Sequence, residues 1–134
     1  MTRTVLTIED QPDIRRLIVM TLEFKGFEVL EASSGEEGIT LARTRHPDLI
    51  LLDVLMPGIG GLSAARILRR DPALSRIPLI MLSALGSATD IDAGLETGAS
   101  AYLTKPFSPV ALLELVDRLI AGAPSPVPQG GDGR

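Results

Sequence analysis

The chain has 134 residues, 45% of them apolar, which is enough for one compact domain with a buried core. It contains no Cys and no Trp, with three Phe and one Tyr, so a disulfide scaffold and a Cys-based zinc site are excluded and the core must be aliphatic. A net charge of −4, from 17 acids against 13 bases, gives no electrostatic ground for direct nucleic-acid binding and points to a protein partner or small ligand.

Met1-Thr2-Arg3-Thr4 leads straight into Val5-Leu6-Thr7-Ile8 and two acids, without the apolar length of a signal peptide or a membrane span, so a cytoplasmic location with no membrane contact is expected. Thr4 to Ile8 reads as a first strand. Ile14, Leu17, Ile18, Thr21 and Leu22 then follow the stripe of an amphipathic helix, with Pro12 in its first turn and Gly26 past its end. Phe27-Glu28-Val29-Leu30-Glu31 alternates as a half-buried strand. Ser34 with Glu37 makes a capping-box pattern opening a helix that stops before Pro47. Leu49-Ile50-Leu51-Leu52 is apolar without alternation, as in a strand covered on both faces, and ends at Asp53. Pro57, Gly58, Gly60 and Gly61 punctuate a loop before a helix from Leu62 to Arg70, ended by Asp71-Pro72. Leu79-Ile80-Met81-Leu82 is a second buried strand ending at Ser83, and a weaker fourth helix carries Ile91 and Leu95. Ser100-Ala101-Tyr102-Leu103 is the fifth strand. Ser108-Pro109 caps a fifth helix carrying Leu112, Leu115, Val116, Leu119 and Ile120.

Five βα units in this alternation predict a doubly wound α/β fold, a five-stranded parallel sheet of order 2-1-3-4-5 with five flanking helices. The folded domain of this architecture is expected over residues 1–121. From Gly122 to Arg134, Pro and Gly replace every periodic pattern, so 122–134 reads as a disordered tail or linker.

In such sheets ligands bind beyond the carboxyl ends of the strands, which here carry Glu9 and Asp10, Asp53, Ser83 and Lys105. Three carboxylates in one crevice repel one another, and a hard divalent cation taking oxygen ligands is the natural remedy; Mg²⁺ fits. Such a metal would hold an incoming phosphoryl oxygen against a carboxylate nucleophile, while Lys105 and the Ser83 hydroxyl answer charge on the other oxygens. Ala84 beside Ser83 is small enough to leave the approach open.

Glu9-Asp10, Asp53-x-x-Met56-Pro57-Gly58, Ser83-Ala84 and Tyr102-Leu103-Thr104-Lys105-Pro106-Phe107 resemble the receiver (CheY-like) domain of two-component response regulators, over roughly residues 3–121. The resemblance implies a flavodoxin-like fold and transfer of a phosphoryl group to Asp53 from a sensor histidine kinase or phosphotransfer protein. It implies Mg²⁺ held by Asp10, Asp53 and the Leu55 carbonyl, with Glu9 acting through water, and a cis Lys105-Pro106 peptide. It further implies that Ser83 and Tyr102 move as a switch that changes the face of helix four, strand five and helix five. That face would contact a downstream target protein or output domain, or a second copy on phosphorylation, from a monomeric unphosphorylated state. The domain would catalyse its own phosphorylation and dephosphorylation but turn over no separate substrate. Glu9 stands where Asp is commoner, and Leu55 is apolar where many relatives are polar, which is expected to alter the phosphoryl lifetime.

Taken singly, each residue has an ordinary reading: Asp53 a strand-end cap, Glu9-Asp10 a helix-start pair, Lys105 a solvated lysine, Ser83 a turn residue, Tyr102 a strand aromatic, His46 a helix end. Four strand ends carrying the residue types that one chemistry needs outweigh that. A flavin site would need a Gly/Ser/Thr-rich phosphate loop where Glu9-Asp10-Gln11-Pro12 stands, and a haloacid-dehalogenase-type phosphatase would need Asp at position 55, which is Leu. The remaining alternative is a degenerate receiver serving as a phosphorylation-independent interaction module.

Overall fold

A computed structural model describes residues 2–54, 56, 58–83 and 98–121. The elements in chain order are β1 (Thr4–Ile8), α1 (Pro12–Phe24), β2 (Glu28–Ala32), α2 (Gly35–Arg45), β3 (Leu49–Asp53), α3 (Gly60–Arg70), β4 (Leu79–Ser83), β5 (Ala101–Thr104) and α4 (Pro109–Ile120). The five strands are parallel in the order β2-β1-β3-β4-β5, as the sequence predicts. Four flanking helices lie among the described residues; the expected helix bearing Ile91 and Leu95 falls outside them, as do Leu55, Pro57 and the 122–134 tail.

The central strands β3 and β4 are buried along their whole length, and their side chains alternate between two cores. Ile50, Leu52, Leu79 and Met81 join Leu6 and Ile8 against Ile39 and Ala42 of α2 and Ala64, Ala65 and Leu68 of α3. Leu49, Leu51, Ile80 and Leu82 join Val5 against Ile18 and Leu22 of α1 and Leu112, Val116 and Leu119 of α4. Each fully buried Leu or Ile contributes roughly 1.5–3 kcal/mol of transfer free energy, so this two-sided burial is what holds the strands in register.

Local signals behave as their chemistry requires. The Ser34 Oγ accepts from the Glu37 N–H at 3.1 Å, but Glu37 reaches back to the N–H and hydroxyl of Ser33 rather than to Ser34, a shifted version of the expected capping box. Ser108 Oγ accepts from the Ala111 N–H at 3.0 Å, capping α4. His46 ends α2 in the left-handed region at φ 45°, which turns the chain before Pro47. Helix α3 opens two residues earlier than predicted, at Gly60. Strands β2 and β5 each start one residue later than predicted. Before β2, the Phe27 N–H is engaged by the Leu22 carbonyl at the end of α1. Before β5, the Ser100 Oγ accepts from the Leu79 N–H. Leu17, placed by periodicity on the α1 stripe, is 44% exposed, because Ile18 and Leu22 take the centre of the face toward the sheet.

Candidate functional site

The parallel ladder ends bring the chemistry together at the carboxyl edge. The Glu9 N–H donates to the Ala32 carbonyl, the Val54 N–H to Leu82 and the Lys105 N–H to Ser83, so the residues following β1, β3 and β5 are fixed by neighbouring strands. Gly61 contributes from the other side: its N–H donates to the Val54 carbonyl at 3.0 Å, and a Cβ there would overlap the Asp53 carbonyl oxygen and stand 2.6 Å from the Val54 Cα. Only glycine lets α3 approach the backbone of Asp53 this closely. Sequence reasoning read Gly61 as loop punctuation; its position eight residues past a strand-end acid, at a helix start, was the available signal.

Glu9, Asp10 and Asp53 each offer a carboxylate oxygen, and these atoms lie within 4.8 Å of one another. Glu9 is wholly buried and Asp53 is 2% exposed. The Lys105 ammonium stands between them, donating to Glu9 Oε1 at 2.9 Å and lying 3.3 Å from Asp53 Oδ2. Asp10 Oδ1 is buried with no hydrogen-bond partner among the described residues. Burial pushes the Glu9 carboxyl above its ordinary range; the Lys105 hydrogen bond opposes that rise and the Asp53 charge adds to it. An acid held reluctantly charged beside two more, with one carboxylate oxygen unpartnered, is the electrostatic condition that a hard cation relieves, and an all-oxygen donor set suits Mg²⁺. The expected Leu55 carbonyl ligand lies outside the described residues.

Two further contacts shape the crevice. Glu9 takes a direct ion pair with Lys105, and its Oε2 accepts from the Gln11 N–H at 3.2 Å. Arg15 also reaches this edge: its Nη1 donates to the Glu9 backbone carbonyl at 2.7 Å while its Nε pairs with Glu31. Placed one helical turn past the strand end, Arg15 tethers the loop that carries the acids without neutralising their carboxylates. Its spacing from Glu9 was the only sequence signal.

Ser83 closes β4 fully buried, one residue beyond the Leu82 that pairs with Asp53. Tyr102 lies opposite Met81 on β5, partly buried against the α2–α3 side core, and its hydroxyl is buried without a partner among the described residues. The packing of β5 against this core thus takes the hydroxyl of the strand aromatic out of water. The Lys105-Pro106 peptide is cis, as expected. No helix among the described residues is long and apolar enough to cross a membrane.

Comparison with known proteins agrees with this geometry. The family model described as the response regulator receiver domain matches residues 5–117. The phosphate regulon transcriptional regulatory protein PhoB of Pseudomonas aeruginosa is 45% identical over 119 residues, covering 89% of this chain and 51% of that protein. The probable transcriptional regulator ycf27 of Cyanophora paradoxa is 40% identical over 124 residues, covering 92% of this chain and 51% of that protein. The chain thus spans about half the length of the curated relatives it matches. Among solved structures, the Francisella response regulator 1452 receiver domain superposes with a TM-score of 0.84 at 35% identity, covering 90% of this chain and 98% of that one. The Vibrio cholerae chemotaxis protein CheY4 gives 0.84 at 31% identity, covering 88% and 98%. With the strand order, the acidic crevice and these matches in agreement, the chain belongs to the response regulator receiver domains of two-component signalling.

Proposed function

We propose that this receiver accepts a phosphoryl group on Asp53 from the phosphohistidine of a sensor histidine kinase or phosphotransfer protein, in a Mg²⁺-dependent reaction. The observation that carries the reading is the Lys105 ammonium set between Glu9 and Asp53, with Asp10 completing a group of three carboxylates. A carboxylate oxygen of Asp53 attacks phosphorus, the O–P bond of an acyl phosphate forms, and the P–N bond to the donor imidazole breaks, its electron pair remaining on the ring nitrogen. Lys105 then faces the transferred group and can exchange its bond to Asp53 for one to a phosphoryl oxygen, while the Ser83 hydroxyl donates to another. Glu9, Asp10 and Asp53, with the Leu55 carbonyl, would hold the Mg²⁺, whose charge offsets repulsion between carboxylate and phosphoryl oxygens.

The Tyr102 hydroxyl, buried without a partner among the described residues, supports its part in the switch: as the phosphoryl charge draws Ser83, Tyr102 moves in behind it, and the face around β5 and α4 changes with them. The signal passes on by protein contact, to a separate target or to an output domain joined through the Pro- and Gly-rich 122–134 segment. Residues 1–121 form the signalling unit, which turns over no separate substrate.

Intact mass after incubation with phosphoramidate tests the reading. One added phosphoryl group that requires both Mg²⁺ and Asp53 supports it. A folded protein that gains no mass in Mg²⁺ would reject it and leave the phosphorylation-independent interaction module.

A further inference from the structure

Helix α1 carries a line of large apolar side chains that the fold leaves in water: Leu17 is 44% exposed, Met20 59% and Phe24 87%. These three lie at i, i+3 and i+7, on one face of the helix. Beside them Arg16 and Glu23 are exposed, and neither makes an ion pair among the described residues. Contiguous apolar exposure rimmed by charge marks an interaction surface.

The pattern of this face identifies its occupant. Leu17 and Phe24 are seven residues apart and centre near Met20; Arg16 and Glu23 are also seven apart and centre on the same turn. At 3.6 residues per turn, Leu17 and Phe24 fall on one edge of the stripe and Arg16 and Glu23 on the other. A two-fold axis through Met20 that lays two copies of α1 antiparallel therefore sets Leu17 against Phe24 of the second copy and Arg16 against Glu23, twice each, with Met20 on Met20 at the centre. An isologous contact requires each such pairing to occur twice, and a partner of different sequence imposes no such symmetry. A groove of about 440 Å³ alongside, whose lining includes Arg16, Val19, Met20 and Glu23, leaves room for the partner helix to seat.

We infer that α1 is a self-association surface through which two copies of this chain pair antiparallel, without phosphorylation. This revises the expectation of a monomeric unphosphorylated protein. One helix face per copy is smaller than a standard interface, so the dimer is weak, with a dissociation constant on the order of 100 µM. The pairing is separate from the face around β5 and α4 and does not rest on acceptance of a phosphoryl group by Asp53.

Sedimentation velocity of the full 134-residue chain, without phosphodonor, from about 10 µM to about 1 mM, tests the inference. The expected result is a sedimentation coefficient that climbs toward the dimer value. Arg16→Glu and Glu23→Arg each weaken association more than tenfold by facing like charges, and the double exchange Arg16→Glu/Glu23→Arg restores it. All these positions are exposed, and circular dichroism confirms that each variant is folded. A wild-type chain monomeric throughout the range, single variants that associate as the wild type does, or a double exchange that fails to restore the dimer would each overturn the inference.

Discussion

Glu9 and Asp71 are acids at opposite edges of one sheet, and their surroundings treat them in opposite ways. At the carboxyl edge, burial and the Asp53 charge raise the Glu9 carboxyl against the pull of Lys105. At the amino edge, the Ala73 N–H and the Arg43 side chain hold the partly buried Asp71 carboxyl below its ordinary value. The same edge is stapled by Arg69, whose guanidinium donates to the carbonyls of Ser75, Leu74 and Ile77 at 2.9, 3.3 and 2.6 Å. Apart from the Arg69 Nε, which is buried without a partner among the described residues, these polar groups at the amino edge are matched within the chain and serve stability. Those at the carboxyl edge are crowded and left short of positive charge, which is the condition of a site that awaits a ligand.

The comparison breaks most sharply with single substitutions on each side. Asp53→Asn should abolish phosphoryl acceptance while changing folding free energy by less than about 1 kcal/mol, since it removes one of three repelling charges along with one contact to Lys105. Arg69→Met should do the reverse, costing about 3 kcal/mol by taking the guanidinium donor from the Ser75 and Ile77 carbonyls, while the Leu74 carbonyl keeps the Ile77 N–H, with phosphoryl acceptance retained in the folded fraction. Urea denaturation and mass measurement on the same samples would show both. If Asp53→Asn costs as much stability as Arg69→Met, the crevice is structural.

Metal addition is the next largest effect. Mg²⁺ at a hundredfold above its dissociation constant should stabilise the wild type by about 2.7 kcal/mol, read as a rise in thermal midpoint, and Asp10→Asn should lose most of that rise. Leu55→Asn should shorten the phosphoryl lifetime several-fold, followed by decay of the phosphorylated mass after donor removal; an unchanged lifetime removes Leu55 from the account. The smallest effect is at Asp71. Because its folded carboxyl binds a proton less readily than in the unfolded chain, its stabilisation is present above the unfolded value and lost as pH falls through the folded one. Asp71→Asn should therefore flatten the acid limb of the stability curve slightly, in denaturation series below about pH 4.

Much of this was legible from residues alone, for identifiable reasons. Strands β3 and β4 are covered on both faces, so their uninterrupted apolar runs mark them, and the first polar residue after each run is the one placed at the carboxyl edge. Ser34 and Ser108 could be read as caps because the cap is a local bond. What escaped depends on approach through space. Leu17 sits at the edge of a helical stripe, where periodicity alone does not separate buried from exposed. Gly61 matters because of the Asp53 backbone behind it, and Arg15 because α1 turns it back over Glu9. Tyr102 reads from sequence as a strand aromatic, and only the packing of β5 against the core shows its hydroxyl buried.

The central claim is that Asp53, of the three clustered acids, carries the phosphoryl group. Borohydride reduces an acyl phosphate of aspartate to homoserine, so treating the phosphoramidate-incubated protein and sequencing its peptides by mass spectrometry locates the acceptor directly. The account predicts homoserine in place of Asp53 alone, and only when Mg²⁺ was present. Conversion at Asp10 or at any other acid, or at Asp53 without regard to Mg²⁺, would contradict it.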